Sequence, residues 1–160
     1  MTVLDSSALI HLYRIGKLNL IQKLFKKALI TPDIYEEVKE GTGASEIRKA
    51  CNGWISVAEP KSKDAEIISK AEDIEKADAS AILLAMENET LLLSNDYALI
   101  MSARAKGVNC WWLTTFILKC IKQNVISKEE AKQTLLELVK TGMRLDNAVY
   151  ASILNEIDKQ

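Results

Sequence analysis

Asp5, Glu37, Asp78 and Asp96 are the four acids on which any chemistry of this chain would turn. They fall where apolar segments meet turns or helix starts, with Glu37 in the body of a short helix. A carboxylate at the end of a buried strand is poorly solvated, and several together repel one another. At about 4 Å and an effective dielectric of about 20, each like-charge pair costs roughly 4 kcal/mol. A cation relieves that repulsion, and hard oxygen donors suit Mg²⁺ or Mn²⁺. The expectation is a carboxylate metal site that handles phosphate.

The elements that must hold these acids follow from local pattern. Thr2 to Leu4 reads as a strand ending at Asp5, and Ser6 and Ser7 can cap a helix from about Ala8 to Arg14. A helix over about 19–26 leads to a strand at Ala28 to Ile30. Thr31 caps the next helix, with Pro32 at its first position; Ile34, Val38 and Tyr35 face inward and Glu37 does not. Further helices are expected over 45–51 and 63–70, with an edge segment at Trp54 to Val57 between them. The stretch from Lys76 to Asn88 is strongly helical, and Asp78 falls in its first turn, where the helix dipole favours a carboxylate. Thr90 to Leu93 is a continuous apolar run of the kind buried on both faces of a parallel sheet, and it leads into Ser94, Asn95 and Asp96. A helix to Lys106, a strand at Val108 to Trp111 and a helix over 114–123 follow. Strands alternating with helices predict an α/β fold with a parallel sheet. Ligands of such sheets bind outside the carboxyl ends of the strands, where Asp5 and Asp96 both stand.

The last 35 residues read differently. Ser127 and Glu130 form a capping box, Gly142 stops the helix they open, and Asp146 caps a last one striped by Tyr150, Ile153, Leu154 and Ile157. The organisation expected is an α/β unit over 1–125 and a helical hairpin over 126–160 packed on the same domain.

Composition narrows the field. The 160 residues, 48% of them hydrophobic, suit one domain with one core. No apolar run reaches the roughly 20 residues that span a bilayer, and no basic region precedes an apolar one at the amino terminus. A cytoplasmic protein without a membrane partner is expected. The three cysteines lie far apart and His11 is the only histidine, which excludes a zinc site and a serine-hydrolase triad. There is no glycine-rich phosphate loop. A net charge of −1 argues against a protein that coats DNA. The clusters Lys23, Lys26, Lys27 and Arg104, Lys106 read as solvated helix faces. Glu72, Asp73 and Glu75 also read as solvated, His11 as a packed side chain, and Trp111 and Trp112 as core or interface residues rather than base-stacking ones.

Four segments together resemble a known family. Val3-Leu4-Asp5-Ser6-Ser7-Ala8-Leu9-Ile10 is similar to the opening of a PIN domain, where an aspartate ends the first strand. Thr31-Pro32-Asp33-Ile34-Tyr35-Glu36-Glu37-Val38 resembles the second PIN motif, a helix begun by proline and bearing a glutamate. Asp78-Ala79-Ser80-Ala81-Ile82-Leu83-Leu84-Ala85 resembles the third, and Leu93-Ser94-Asn95-Asp96 the fourth. The order and spacing across about residues 1 to 112 are those of the family.

The resemblance implies a three-layer α/β/α sandwich around a parallel sheet. It implies a Mg²⁺- or Mn²⁺-dependent endoribonuclease that hydrolyses single-stranded RNA to 5′-phosphate and 3′-hydroxyl ends, often the VapC-like toxin of a VapBC-type toxin–antitoxin pair. Asp5, Asp78 and Asp96 would hold metal, Glu37 would bind metal or orient the water, and Ser94 would support them from behind. A homodimer and an antitoxin partner are also implied. The helices flanking Gly142-Met143-Arg144-Leu145 look like those of a PIN subgroup that ends in such a hairpin. Where many of that subgroup carry Gly-Glu, this chain has Ala77-Asp78, one methylene shorter at the carboxylate. Lys76-Ala77-Asp78 and Asn95-Asp96-Tyr97 also resemble PIN nucleases of ribosomal RNA maturation, although the cysteine-rich zinc ribbon of those enzymes is missing. A non-catalytic PIN-fold module that binds RNA or protein is the alternative from another class. A receiver domain and a haloacid-dehalogenase-like phosphatase are disfavoured, the latter because Ser7 stands where it needs a second aspartate.

Overall fold

The structure is a computed structural model and describes residues 1–41 and 43–160. Its sheet is made of runs too apolar to face water. β1 (Thr2–Leu4), β2 (Ala28–Ile30), β3 (Ile55–Val57), β4 (Leu91–Leu93) and β5 (Cys110–Trp111) pair in the order β3-β2-β1-β4-β5, every pairing parallel. Val3, Leu4, Leu92 and Leu93 are fully buried, as expected of central strands covered on both faces.

Among the described residues there are ten helices, seven between the strands and three after β5. They are α1 (Ser6–Arg14), α2 (Asn19–Phe25), α3 (Pro32–Val38), α4 (Ala44–Cys51), α5 (Ala65–Glu72), α6 (Lys76–Glu87), α7 (Tyr97–Ala105), α8 (Leu113–Lys122), α9 (Lys128–Lys140) and α10 (Asn147–Lys159). The connection from β1 to β2 steps one way along the sheet and that from β4 to β5 the other. Right-handed crossovers therefore put α1 and α2 on one face and α7 on the opposite one. Helix α6 lies against β1, β4 and α7, whereas α8 lies against β5 and α9, and α9 reaches α1. The result is a three-layer α/β/α arrangement whose chain direction reverses between β1 and β4.

Local chemistry explains most of the boundaries. The Thr31 hydroxyl accepts from the Ile34 amide at 3.3 Å, with Pro32 opening α3. Ser127 and Glu130 complete a reciprocal capping box on α9, and Asp146 caps α10. One expectation is corrected. Asp5, not Ser6 or Ser7, caps α1, because its carboxylate reaches the Ala8 amide at 2.9 Å, so both serines lie within the helix. Helix α5 also starts later than expected, at Ala65.

The hairpin shares the core of the sheet. Ala131, Leu135 and Leu138 of α9, Met143 of the turn and Ile157 of α10 join the same apolar cluster as Leu4, Leu9 and Phe116. Of the expected stripe on α10 only Ile157 is fully buried; Tyr150, Ile153 and Leu154 are half-buried. Leu135→Ala should therefore cost about 2–5 kcal/mol and leave a single cooperative transition in urea. Two separated transitions would mean that the hairpin is an independent unit.

Candidate active site

Asp5 and Asp96 leave β1 and β4 at neighbouring carboxyl ends, where the strand order reverses. Such a switch point leaves a crevice above the sheet. Hydrogen bonds tie the two strand ends together. Asp5 is only 2% exposed. Its Oδ2 accepts from the Ser7 and Ser94 hydroxyls, each at 2.7 Å, and its Oδ1 from the Ala8 amide at 2.9 Å. The Ser94 oxygen in turn accepts from the Asp96 amide, and the Ser7 oxygen from the Asn95 amide, both at 2.9 Å. Asp96 then caps α7 through the Leu99 amide at 2.8 Å. One carboxylate thus fixes the turn after β4 through two serines.

Ser94, fully buried, joins Asp5 to the Asp96 amide. Ser7 is the residue that sequence reasoning misses, since local pattern marks it only as a helix cap. The signal is its position two residues after Asp5, which inside a helix begun at Ser6 brings its hydroxyl back over the capping carboxylate.

Asp78, in the first turn of α6, completes the set electrostatically. Burial, then the charges of Asp5, Asp96, Glu75 and Glu37, push its carboxyl from 3.8 up to about 7. Burial likewise raises Asp5, against the pull of its three hydrogen bonds, and the Asp96 charge adds to the rise. Glu37 lies exposed on α3, and its charge reaches Asp78. Glu75, expected from sequence to be merely solvated, is indeed exposed, yet it also contributes to the field at Asp78.

Among the described residues no Lys or Arg forms an ion pair with Asp5, Glu37, Asp78 or Asp96. The donor set, oxygen only and uncompensated, has the chemistry that a hard divalent cation needs. Its spacing is looser than a coordination shell: among the described residues no three Asp, Glu, His or Cys side chains are grouped closely enough to hold a metal ion. Three of the roughly four acceptor positions of Asp5 are already filled, which leaves one, on Oδ1. Asp5, Asp96 and Glu37 act on Asp78 through space without being drawn in around a point, and Glu37 itself lines a separate cleft with Tyr13 and Arg14.

A family model described as a PIN domain matches residues 1–159. The chain belongs to the PIN-domain family. A comparison with curated proteins found no match. The PIN fold is of nuclease type, and PIN domains are generally nucleases that typically use divalent metals. The match runs through α9 and to the end of α10, so the family pattern includes the hairpin.

Other sequence candidates take ordinary places. His11 is half-buried, its Nδ1 without a partner among the described residues, and burial followed by the Arg14 charge lowers its pKa. Burial pushes the Cys110 and Cys120 thiols up to about 11 and about 12, so neither is a thiolate at neutral pH. Among the described residues no helix is long and apolar enough to cross a membrane.

The raised carboxyls set a pH dependence of known sign. A folded-state pKa above the unfolded value means that the folded protein binds more protons, so stability falls as pH rises between the two. For Asp78 that window runs from 3.8 to about 7, and Asp5 acts in the same direction. Metal-free protein should lose melting temperature across this range, and Asp78→Asn should flatten the fall. A parent and a variant with parallel profiles would mean that Asp78 is not strained by its neighbours.

Proposed function

We propose that this PIN domain is a Mg²⁺- or Mn²⁺-dependent endoribonuclease that cleaves single-stranded RNA. The observation that carries this reading is Asp78, a carboxyl held near neutrality by burial and four other acids, with no basic side chain paired to any member of the catalytic set among the described residues. Such stored repulsion stabilises nothing in the metal-free fold and favours capture of a divalent cation.

Asp5, Asp78 and Asp96 would hold the metal, with Glu37 at the open side of the crevice. The bound cation would lower the pKa of a water and neutralise phosphoryl oxygens. Asp5 is fixed by Ser7, Ser94 and Ala8 and presents one oxygen position that does not wander. Asp96 is held by its own helix cap. Asp78, raised to about 7 in the metal-free protein by burial and its acidic neighbours, would be held ionised by the bound cation and serve as its ligand. Glu37, exposed on α3, orients the attacking water. RNA enters over the carboxyl edge of the sheet, and the products carry 5′-phosphate and 3′-hydroxyl ends.

The same reading extends to a VapC-like toxin acting as a homodimer in the cytoplasm and restrained by an antitoxin. The hairpin covered by the family match and the missing cysteine-rich zinc ribbon support that extension over a ribosomal RNA maturation role.

Purified protein should cleave single-stranded RNA with Mg²⁺ or Mn²⁺. Asp5→Asn or Asp78→Asn should lower the rate at least about 10²-fold, the upper range for a lost outer-shell partner of a metal and so a lower bound for a lost ligand, while the fold survives by circular dichroism. Undiminished cleavage in EDTA would refute the mechanism. Mn²⁺ should also raise the melting temperature of the wild type and not of Asp78→Asn, a readout that needs no turnover. No metal effect on either activity or melting would favour a non-catalytic module. Sedimentation at monomer mass would count against the dimer, and normal growth on expression against the toxin.

A further inference from the structure

A second site lies away from the acids, on the face that carries α2 and α8. A cleft of about 450 Å³ opens between these helices and the end of β5. Lys23 and Lys26 come from one side, Lys119 and Gln123 from the other, and Phe25 and Trp111 form its apolar wall. No acidic side chain lines it. Among the described residues Lys23, Lys26 and Lys119 lie within ion-pair distance of no carboxylate. The basic pair Arg104 and Lys106 behaves differently: Lys106 is joined to Glu72 at 2.8 Å and Arg104 donates to the Cys110 carbonyl. Glu130 is held down chiefly by the Ser127 amide and more weakly by Lys17 and the cleft's Lys23.

The wall is arranged for a flat ligand. Trp111 is half-buried, 5.8 Å from Phe25 between ring centroids, and Phe25 stacks on Phe116 at 6.1 Å. One face of the indole carries the Lys119 ammonium at 5.4 Å. That cation can swing from the ring to a phosphate, which uncovers the face. Lys26 occupies a positive-φ γ-turn (φ 66°, ψ −42°), closed by the Lys27 amide on the Phe25 carbonyl at 2.8 Å. This geometry is strained for a residue with a Cβ, and it places Lys26 at the rim beside Lys23.

We propose that this cleft binds single-stranded RNA, with Lys23, Lys26 and Lys119 on successive phosphates and a base stacked on Trp111. Aromatic faces flanked by lysines are how single strands are held without regard to sequence. The choice of RNA rests on the ribonuclease reading; the binding does not depend on cleavage. Trp111 ends β5, and its carbonyl accepts from the Ser94 amide at 3.1 Å. The cleft therefore starts one strand away from the acids and runs down α8, so that a strand held here is tethered while another part of it lies over the crevice.

The test is anisotropy of a short fluorescein-labelled oligouridylate titrated with wild-type protein in EDTA over a range of salt. Lys23→Gln/Lys119→Gln, both on helix surfaces, should bind about tenfold more weakly, with the log–log salt slope smaller by about 1.4, or ~0.7 for each phosphate no longer neutralised. Wild-type indole emission should be quenched by the oligonucleotide. Trp111→Phe, which keeps a ring against Phe25 and Phe116, should lose most of that quench. Lysine variants with wild-type affinity and slope would overturn the proposal, as would an undiminished quench in Trp111→Phe. Heparin, a polyanion without bases, producing the same quench would overturn the stacking. Normal binding without cleavage in Mn²⁺ would sink the ribonuclease reading alone, and cleavage with unaltered binding in the lysine variants would sink the cleft alone.

Discussion

The candidate site depends on a single buried carboxylate and the two serines that bridge it to the next strand. Asp5 is a helix cap, a strand terminus and the acceptor for hydroxyls from Ser7 and Ser94 at once. Burial alone would drive it towards the neutral form; its three donors oppose that drift. Because the same serines accept the amides of Asn95 and Asp96, the path of the chain after β4 is set by a residue nearly ninety positions earlier. Parallel strands give this link its reach. The β1–β4 ladder, Leu4 opposite Leu93, brings the two carboxyl ends level, and the serines span the remaining distance.

That clasp separates two kinds of acid. Asp5 is held by three donors with one acceptor position left, whereas Asp78 has burial and like charge acting on it, and among the described residues no basic side chain pairs with it to offset them. A site made wholly of the first kind would be structurally quiet, and one made wholly of the second would be too repulsive to fold around. Here the fixed member defines the position and the strained member supplies the affinity for charge. The loose spacing of the set fits that division: the acids are near enough to raise one another but not collapsed together, as expected where repulsion is uncompensated.

Much of this is legible in the residues. Apolar triplets ended by acids mark the central strands and the carboxyl edge, because a buried strand and a solvated turn need opposite residue types. The capping box at Ser127 and the Thr31-Pro32 start are readable because caps are local chemistry. Ser7 and Glu75 are not. The role of Ser7 needs β4 beside β1, a neighbourhood that no local pattern encodes, and Glu75 acts through space from a position that exposure alone marks as idle. The cap of α1 escapes local reading for a related reason: Ser6, Ser7 and Asp5 are all good caps, and the tie between Asp5 and Ser94 decides among them.

Net charge hides the other half of the molecule. A total of −1 describes a chain in which Asp5, Glu37, Glu75 and Asp96 act together on Asp78 while Lys23, Lys26 and Lys119 line the cleft between α2 and α8. Averaging cancels these two surfaces; a polyanion approaching the protein meets them separately. On the proposed reading, repulsion at the acidic edge would oppose a phosphate backbone until a cation neutralised it, whereas the lysine cleft would attract the backbone with or without metal. Capture and chemistry would then fall to different places, and only the chemical one would need a metal. The Ser94–Trp111 backbone bond makes that arrangement mechanically continuous, since the turn that carries Asp96 and the strand that ends in the stacking indole are held in one register.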